Sequence, residues 1–323
     1  MGVREIVMAV SLAWSAAGAG LVRVEHSSEA MGSTFGVIAY GSDRANLEAA
    51  VDAALDEAQR LDRMLSNYLP ESEWSEVNRH AGVRPVAVSA ELFQLLSECI
   101  RYSQQSGGAF DIAVGPLMKV WGFYRGEGAL PQPGEIRNAL ARTGYRHVLL
   151  DPAGSTVQFD RPGVELDPGG IGKGYAVDRM VEVLKRRGVE IALVSAAGSS
   201  IYGLGAPPDE PQGWRVVIRS PNEAKQAAAV VFLKNESLST SGSYERFFWA
   251  RGRRYSHIMD PRTGYPASGT ASVSVMAPRT IDSEVWAKPY FINGRGWTAA
   301  HKAEDFRVFF CEDTKEQACS WVH

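Results

Sequence analysis

With 323 residues, 45% hydrophobic and 22% charged, the chain has the composition of an ordinary globular protein with ample core, which excludes a disordered or low-complexity polypeptide. Its formal net charge of −3, with no Lys/Arg-rich block, gives no electrostatic footprint for nucleic acid. Three cysteines, Cys99, Cys311 and Cys319, are too few for a disulfide framework or a metal cluster.

The first twenty residues, MGVREIVMAVSLAWSAAGAG, carry Arg4, an apolar run from Ile6 to Trp14 and a small-residue pattern at Ala17-Gly18-Ala19. That layout predicts a signal peptide over 1–20 and an exported protein, periplasmic or membrane-associated; if the segment is instead a buried helix, the protein is cytoplasmic. The run is too short to span a bilayer, so an integral membrane protein is not expected, and no cysteine follows it to take a lipid.

Thr34 to Tyr40 reads as a strand, and Leu47, Val51, Ala54, Leu55, Ala58, Leu61 and Leu65 then mark one face of a long helix. That helix stops at Ser66-Asn67-Tyr68-Leu69-Pro70, a loop carrying an aromatic. A second helix is predicted from about Ala90 to Gln105, capped by Ser89 and containing Cys99, and it ends at Ser106-Gly107-Gly108. Ala109, Phe110 and Asp111 follow in backbone that the glycines leave free to turn. Strands are predicted at His147 to Asp151 and Thr156 to Phe159, then a helix from about Lys173 with Ala176, Met180, Val181 and Leu184 inward. Further strands are expected at Ile191 to Ser195, Trp214 to Arg219, Ala228 to Leu233, Tyr255 to Ile258 and Ala271 to Ala277, then a helix over Ile281 to Phe291 and a strand over Phe306 to Phe310. Cys311 and Cys319 flank EDTKEQA and could close a terminal hairpin in an oxidising compartment. Helices and strands mix without strict alternation, which points to one α+β, or mixed α/β, domain over 21–323.

Two stretches carry possible chemistry. Asp167 to Gly174 places four glycines and Lys173 before a helix N-terminus, where exposed N–H groups and the helix dipole favour a phosphate. It is not a Walker loop, because Asp167 stands where the first glycine belongs and Gly174 where Ser or Thr would hold magnesium. The same run also serves as a plain turn before a core helix. Farther on, His257 lies beside the rigid turn Asp260-Pro261-Arg262-Thr263-Gly264, which would hold an imidazole in fixed orientation as acid, base or phosphate donor.

Five segments, in order, resemble the ApbE-type FAD:protein FMN transferases. They are Met31-Gly32-Ser33-Thr34; LSNYLPESEWSEVN from Leu65; SGGAFDIAVGPLMKVWGF from Ser106; ELDPGGIGKGYAVD from Glu165; and TSGSYERFF with YSHIMDPRTG. The resemblance implies a T-fold-like domain that splits FAD, releases AMP and attaches FMN through its phosphate to a threonine hydroxyl of a second protein, typically an exported or membrane redox protein. It implies FAD contacts at Met31, Tyr68, Ala109, Phe110, Asp111, Asp167, Lys173 and Ile258, with His257 as the catalytic group.

It also implies magnesium, held by the Gly170 carbonyl together with an aspartate and a threonine four residues apart on the late helix. Aligning Gly294 with the glycine that ends that helix puts Glu284 and Lys288 at those two positions. Glutamate can still reach a hard cation, but an ammonium has no lone pair to give one. Like charges 4 Å apart repel by roughly 4 kcal/mol at intermediate dielectric. Lys288 therefore either swings away from a weakened metal site or places its ammonium where the metal would be, paired with Glu284 one turn earlier; the same spacing also marks a common surface ion pair. Ala197 replaces a glycine of the family pattern, which restricts backbone approach to a ligand. Two alternatives to transfer remain: an FAD-binding carrier that has lost transfer, and an FAD pyrophosphatase giving FMN and AMP.

Overall fold

The computed structural model describes residues 20–126, 128–221, 226–314 and 318–323; all of the signal-like segment except Gly20 lies outside them. The frame is an eight-stranded sheet. Its spatial order is Val22–Ala30, Ser33–Gly41, Ile191–Ala196, Ser200–Leu204, Glu236–Gly242, Thr270–Ala277, Arg307–Glu312 and Cys319–Val322. Every neighbouring pair is antiparallel. Thr270–Ala277 is buried at every position, as expected of a strand covered on both faces.

One face carries the helices Arg44–Leu65, Gly172–Arg186 and Thr280–His301. Leu47, Val51, Ala54, Leu55, Ala58, Leu61 and Leu65 on the first, and Ala176, Met180, Val181 and Leu184 on the second, are all buried, so the 3.6-residue periodicity marks the true inward stripes. On the opposite face the hairpin Trp214–Arg219 and Ala227–Leu233 lays Trp214, Val216, Ile218, Val231 and Leu233 against Ile38, Leu193, Leu238 and Phe309. A smaller three-stranded sheet, ordered Val86–Ala87, Thr156–Phe159 and Val148–Asp151, accompanies the Ala90–Gln105 helix. Cys99 is buried in that helix, while Cys311 and Cys319 face each other on adjacent strands and are joined as a disulfide.

Several elements differ from the sequence expectation. Glu236–Gly242 is a central strand although it reads ESLSTSG. Its serines are inward because they have partners there: the Ser237 and Ser239 hydroxyls lie 2.9 and 2.8 Å from Ser283 Oγ on the late helix. Buried hydroxyls paired in this way avoid the desolvation cost that makes serine rare in cores. The late helix runs over Thr280–His301 rather than ending at Phe291, with a break at Gly294, whose φ is 81°. Tyr255 to Ile258 is not one strand: Arg253–Ser256 pairs with Phe247–Ala250, and Met259–Asp260 then pairs with Tyr265–Pro266. His257 sits at the corner between the two small ladders.

Candidate functional site

The site lies where one end of the large sheet meets the N-terminus of the Gly172–Arg186 helix. Met31 and Gly32 form the turn between the first two strands, both with positive φ (52° and 65°), as a two-residue hairpin of this twist requires. Ala197 and Gly198 turn at the same end, also with positive φ (53° and 66°), and Ala197 N–H donates to the Thr34 carbonyl. Ala197 thus holds a left-handed conformation that ordinarily favours glycine.

The glycine segment is fastened from behind. Asn78, on the Glu73–His80 helix, accepts from Leu166 N at 2.7 Å and donates to its carbonyl at 3.0 Å, and Trp74 Nε1 donates to the same carbonyl. Asp167 then caps the short Pro168–Gly170 turn by accepting from Gly169 N, and its other oxygen accepts from the Tyr124 hydroxyl at 2.9 Å. Burial raises the Asp167 carboxyl above its ordinary value, against these hydrogen bonds and the field of Arg246. Gly170 packs on the Phe110 ring, and a Cβ on Gly170 would stand 3.2 Å from Phe110 Cε2. Gly172 faces the Met31 sulfur, and Lys173 Nζ donates to Ser199 Oγ at 2.7 Å.

An aromatic cluster positions His257. Trp121, Phe123, Phe248 and Tyr255 pack together, with Phe248 stacked on Tyr255 at 5.4 Å between centroids, and the Phe123 ring meets the imidazole edge-on. Trp121 Nε1 donates to the Gly264 carbonyl, tying the Asp260 to Gly264 turn to the same cluster. Gly264 has φ 79°, and a Cβ there would come within 2.9 Å of Ile136. The His257 Nδ1 lies 3.1 Å from the Arg246 carbonyl. A carbonyl only accepts, so Nδ1 carries the proton and Nε2 keeps its lone pair. Burial first, then the charges of Arg246, Lys288 and Lys173, push the imidazole down to about 4, which leaves it neutral, with Nε2 unprotonated, at neutral pH.

The expected contact residues do not all play the same part. Met31, Phe110, Asp167 and Lys173 gather around the glycine segment, and Tyr68, 74% exposed, stands on a loop whose Tyr68 and Leu69 N–H groups both donate to Ser66 Oγ. Ala109 is buried beside Phe110. The Asp111 oxygens accept from Ala113 N and Tyr145 N, which fastens the turn after the Ala90–Gln105 helix, and burial raises its carboxyl to about 6. Ile258 is core, packed with Val273, Val275 and Phe291, and its carbonyl accepts from Ala267 N. Tyr124, Ser199 and Arg246 escaped the sequence reading. Tyr124 and Arg246 lie within quoted motif neighbourhoods, but the reach of Tyr124 to Asp167, 43 positions on, has no local signature.

The donors at Gly170, Glu284 and Lys288 do not fit a divalent ion. Glu284 is 3% exposed, and one of its oxygens accepts from Gly174 N, the other lying 3.7 Å from Lys288 Nζ. Lys288 Nζ donates to the Glu284 carbonyl at 2.8 Å, and its Cε stands 3.7 Å from where a Gly170 Cβ would be, so the lysine stem fills the space beside that glycine. Burial pushes the ammonium down to about 8, with Glu284 opposing, so the cationic form prevails at neutral pH. Among the described residues no group of three His, Cys, Asp or Glu side chains converges to hold a metal.

Residues 31–310 match the sequence model of the ApbE family. The FAD:protein FMN transferase of Treponema pallidum is 37% identical over 264 residues, covering 76% of this chain and 73% of that protein. One from Klebsiella pneumoniae is 32% identical over 295 residues, covering 90% of each. Among solved structures, the ApbE protein of Thermotoga maritima superposes with a TM-score of 0.84 at 28% identity, covering 93% of this chain and 96% of that one. The flavin transferase ApbE of Vibrio cholerae superposes with a TM-score of 0.79 at 27% identity, with the same coverage.

Proposed function

Because the chain belongs to the ApbE family, we propose that the cleft between the glycine segment and His257 transfers FMN from FAD to a hydroxyl of a target protein, the acceptor being a threonine. The observation that carries the reading is a neutral imidazole, with Nε2 unprotonated, in the field of two ammonium groups, one of them on the first turn of a glycine-rich helix. The threonine oxygen attacks the phosphorus of the FMN half, and its proton passes to His257 Nε2. The phosphoanhydride bond to the AMP half breaks, and the bridging oxygen leaves with AMP. A diphosphate concentrates negative charge that fixed cations stabilise, which is the part Lys173 suits, held by Ser199 at the helix N-terminus. Tyr68, exposed on its loop, offers aromatic surface to a flat ring, while the buried Phe110 backs Gly170 and Met31 lines the glycine segment.

The residues present do not suit magnesium, expected from the resemblance, because an ammonium occupies one of its ligand positions and one carboxylate oxygen is already engaged by Gly174. We also infer export to an oxidising compartment. The signal-like start supports it, as does the Cys311 to Cys319 disulfide, which cytosolic reductants would oppose. The acceptor would then be an exported or membrane-bound redox protein. The test is to incubate the purified protein with FAD and a threonine-bearing acceptor domain and to look for flavin fluorescence on the acceptor after denaturing electrophoresis, with AMP released in equal amount. FMN and AMP appearing without labelled acceptor would point instead to hydrolysis, and intact bound FAD to a carrier.

A further inference from the structure

We propose that the Lys288 ammonium, set between Glu284 and Gly170, supplies the positive charge at the diphosphate in place of a divalent cation, so that FAD binding and FMN transfer by this chain do not require added metal. The proposal rests on the transferase reading above for the identity of the ligand.

Four observations carry it. The ammonium is built into the site rather than hanging on its rim: its stem lies against Gly170, and its Nζ is anchored to the Glu284 carbonyl at 2.8 Å. That is its one hydrogen bond among the described residues, the Glu284 carboxylate oxygen at 3.7 Å being an ion-pair contact only. Two of its three N–H groups are therefore free to donate to phosphate oxygens. Second, Glu284 is not available as a metal ligand in the ordinary sense. It is buried, and the Gly174 N–H holds one of its oxygens. Glycine is the residue that permits this approach, since a Cβ at Gly174 would sit 2.8 Å from the same carboxylate oxygen.

Third, the helix presenting both side chains is locked in place. Asp178 accepts from Thr280 N and Ile281 N at its start, and Ser283 is bound by the strand serines, so Lys288 cannot be cleared by a rigid shift of the helix without breaking buried hydrogen bonds. Fourth, a divalent ion beside Gly170 would face the ammonium at close range, and the single negative charge of Glu284 is already paired with that ammonium, so Coulomb repulsion disfavours the ion. Lys173 provides a second fixed ammonium at the helix N-terminus, so the cleft carries cationic charge without recruiting an ion.

The test measures FAD affinity by fluorescence anisotropy, and transfer to the acceptor by gel fluorescence, in chelator and in magnesium. The expected result is an affinity differing by less than about threefold between the two buffers, with labelled acceptor in both. Lys288→Gln, which keeps the stem and removes the charge, should weaken FAD binding by roughly tenfold or more in chelator, the loss of a charge-assisted hydrogen bond to phosphate. Affinity or transfer in the unaltered protein that collapses in chelator and returns with magnesium would overturn the inference while leaving the transferase reading intact. Strong, metal-independent FAD binding with no labelled acceptor in either buffer would sink the transferase reading and leave the ammonium in its role. A Lys288→Gln protein that melts earlier yet binds FAD unchanged would make the lysine structural only, and would also overturn the proposal.

Discussion

His257 is neutral because of what surrounds it, and the consequence is a pH dependence that an exposed histidine would not show. Its pKa, near 4 in the folded protein, lies below the ordinary value of 6.5, so the native state binds fewer protons than the unfolded chain between those limits. The stability contributed by this neutral imidazole is present above pH 6.5 and is lost as pH falls through about 4. Asp111 and Asp178 act in the opposite sense. Burial raises each to about 6, so their contribution is full below the ordinary carboxylate range and is lost as pH rises through 6. The midpoint for His257, read from its imidazole carbon-bound protons by NMR, is expected near 4, and a midpoint near 6.5 would remove the basis for a neutral base held against three cations. Replacing His257 with Asn should slow transfer by about a hundredfold to ten-thousandfold while FAD affinity changes little, since the group is assigned to the acceptor proton.

At the scale of elements, the turn from Asp260 to Gly264 and the segment from Leu117 to Phe123 form one device. Trp121 donates to Gly264, and Gly264 in turn sits against Ile136 on the Pro133–Leu140 helix. Gly264→Ala should cost roughly 2–4 kcal/mol, from the left-handed φ and the overpacking against Ile136 together, and should lower the chemical unfolding midpoint and impair transfer because His257 loses its orientation. The turn chemistry of this stretch was legible in its residues, since Pro261 and Gly264 mark a corner wherever they fall. Its tie to Trp121 was not, because 143 positions separate the partners and no local pattern encodes that pairing. The strand Glu236–Gly242 shows the same limit from the other side: serines carry little apolar pattern, and only the late helix arriving with Ser283 makes them core residues.

Across the whole molecule, the terminal strands Arg307–Glu312 and Cys319–Val322 close one edge of the large sheet, and the disulfide staples that edge. A short loop closed by a disulfide gains least from chain entropy, so reduction, or Cys319→Ser, is expected to lower stability by about 2–3 kcal/mol and to leave FAD binding unaltered, since the staple is remote from the glycine segment. Thermal unfolding with and without reductant, followed by FAD titration of each form, checks both parts. The sequence by itself determined the periodic helices, the glycine run before a helix and the corner beside His257, because each rests on spacing within a few residues. It also carried the ordered motifs of the family. Only the tertiary structure decided that Asp111 fastens the turn at Tyr145, that Ile258 packs with Val273, Val275 and Phe291, that Tyr124 reaches Asp167, and that Glu284 reaches Gly174 across 110 positions of chain while Lys288 lies against Gly170. The reason is physical: a buried polar group takes whichever partner the sheet order and helix packing bring to it, and that order is a property of the assembled layers.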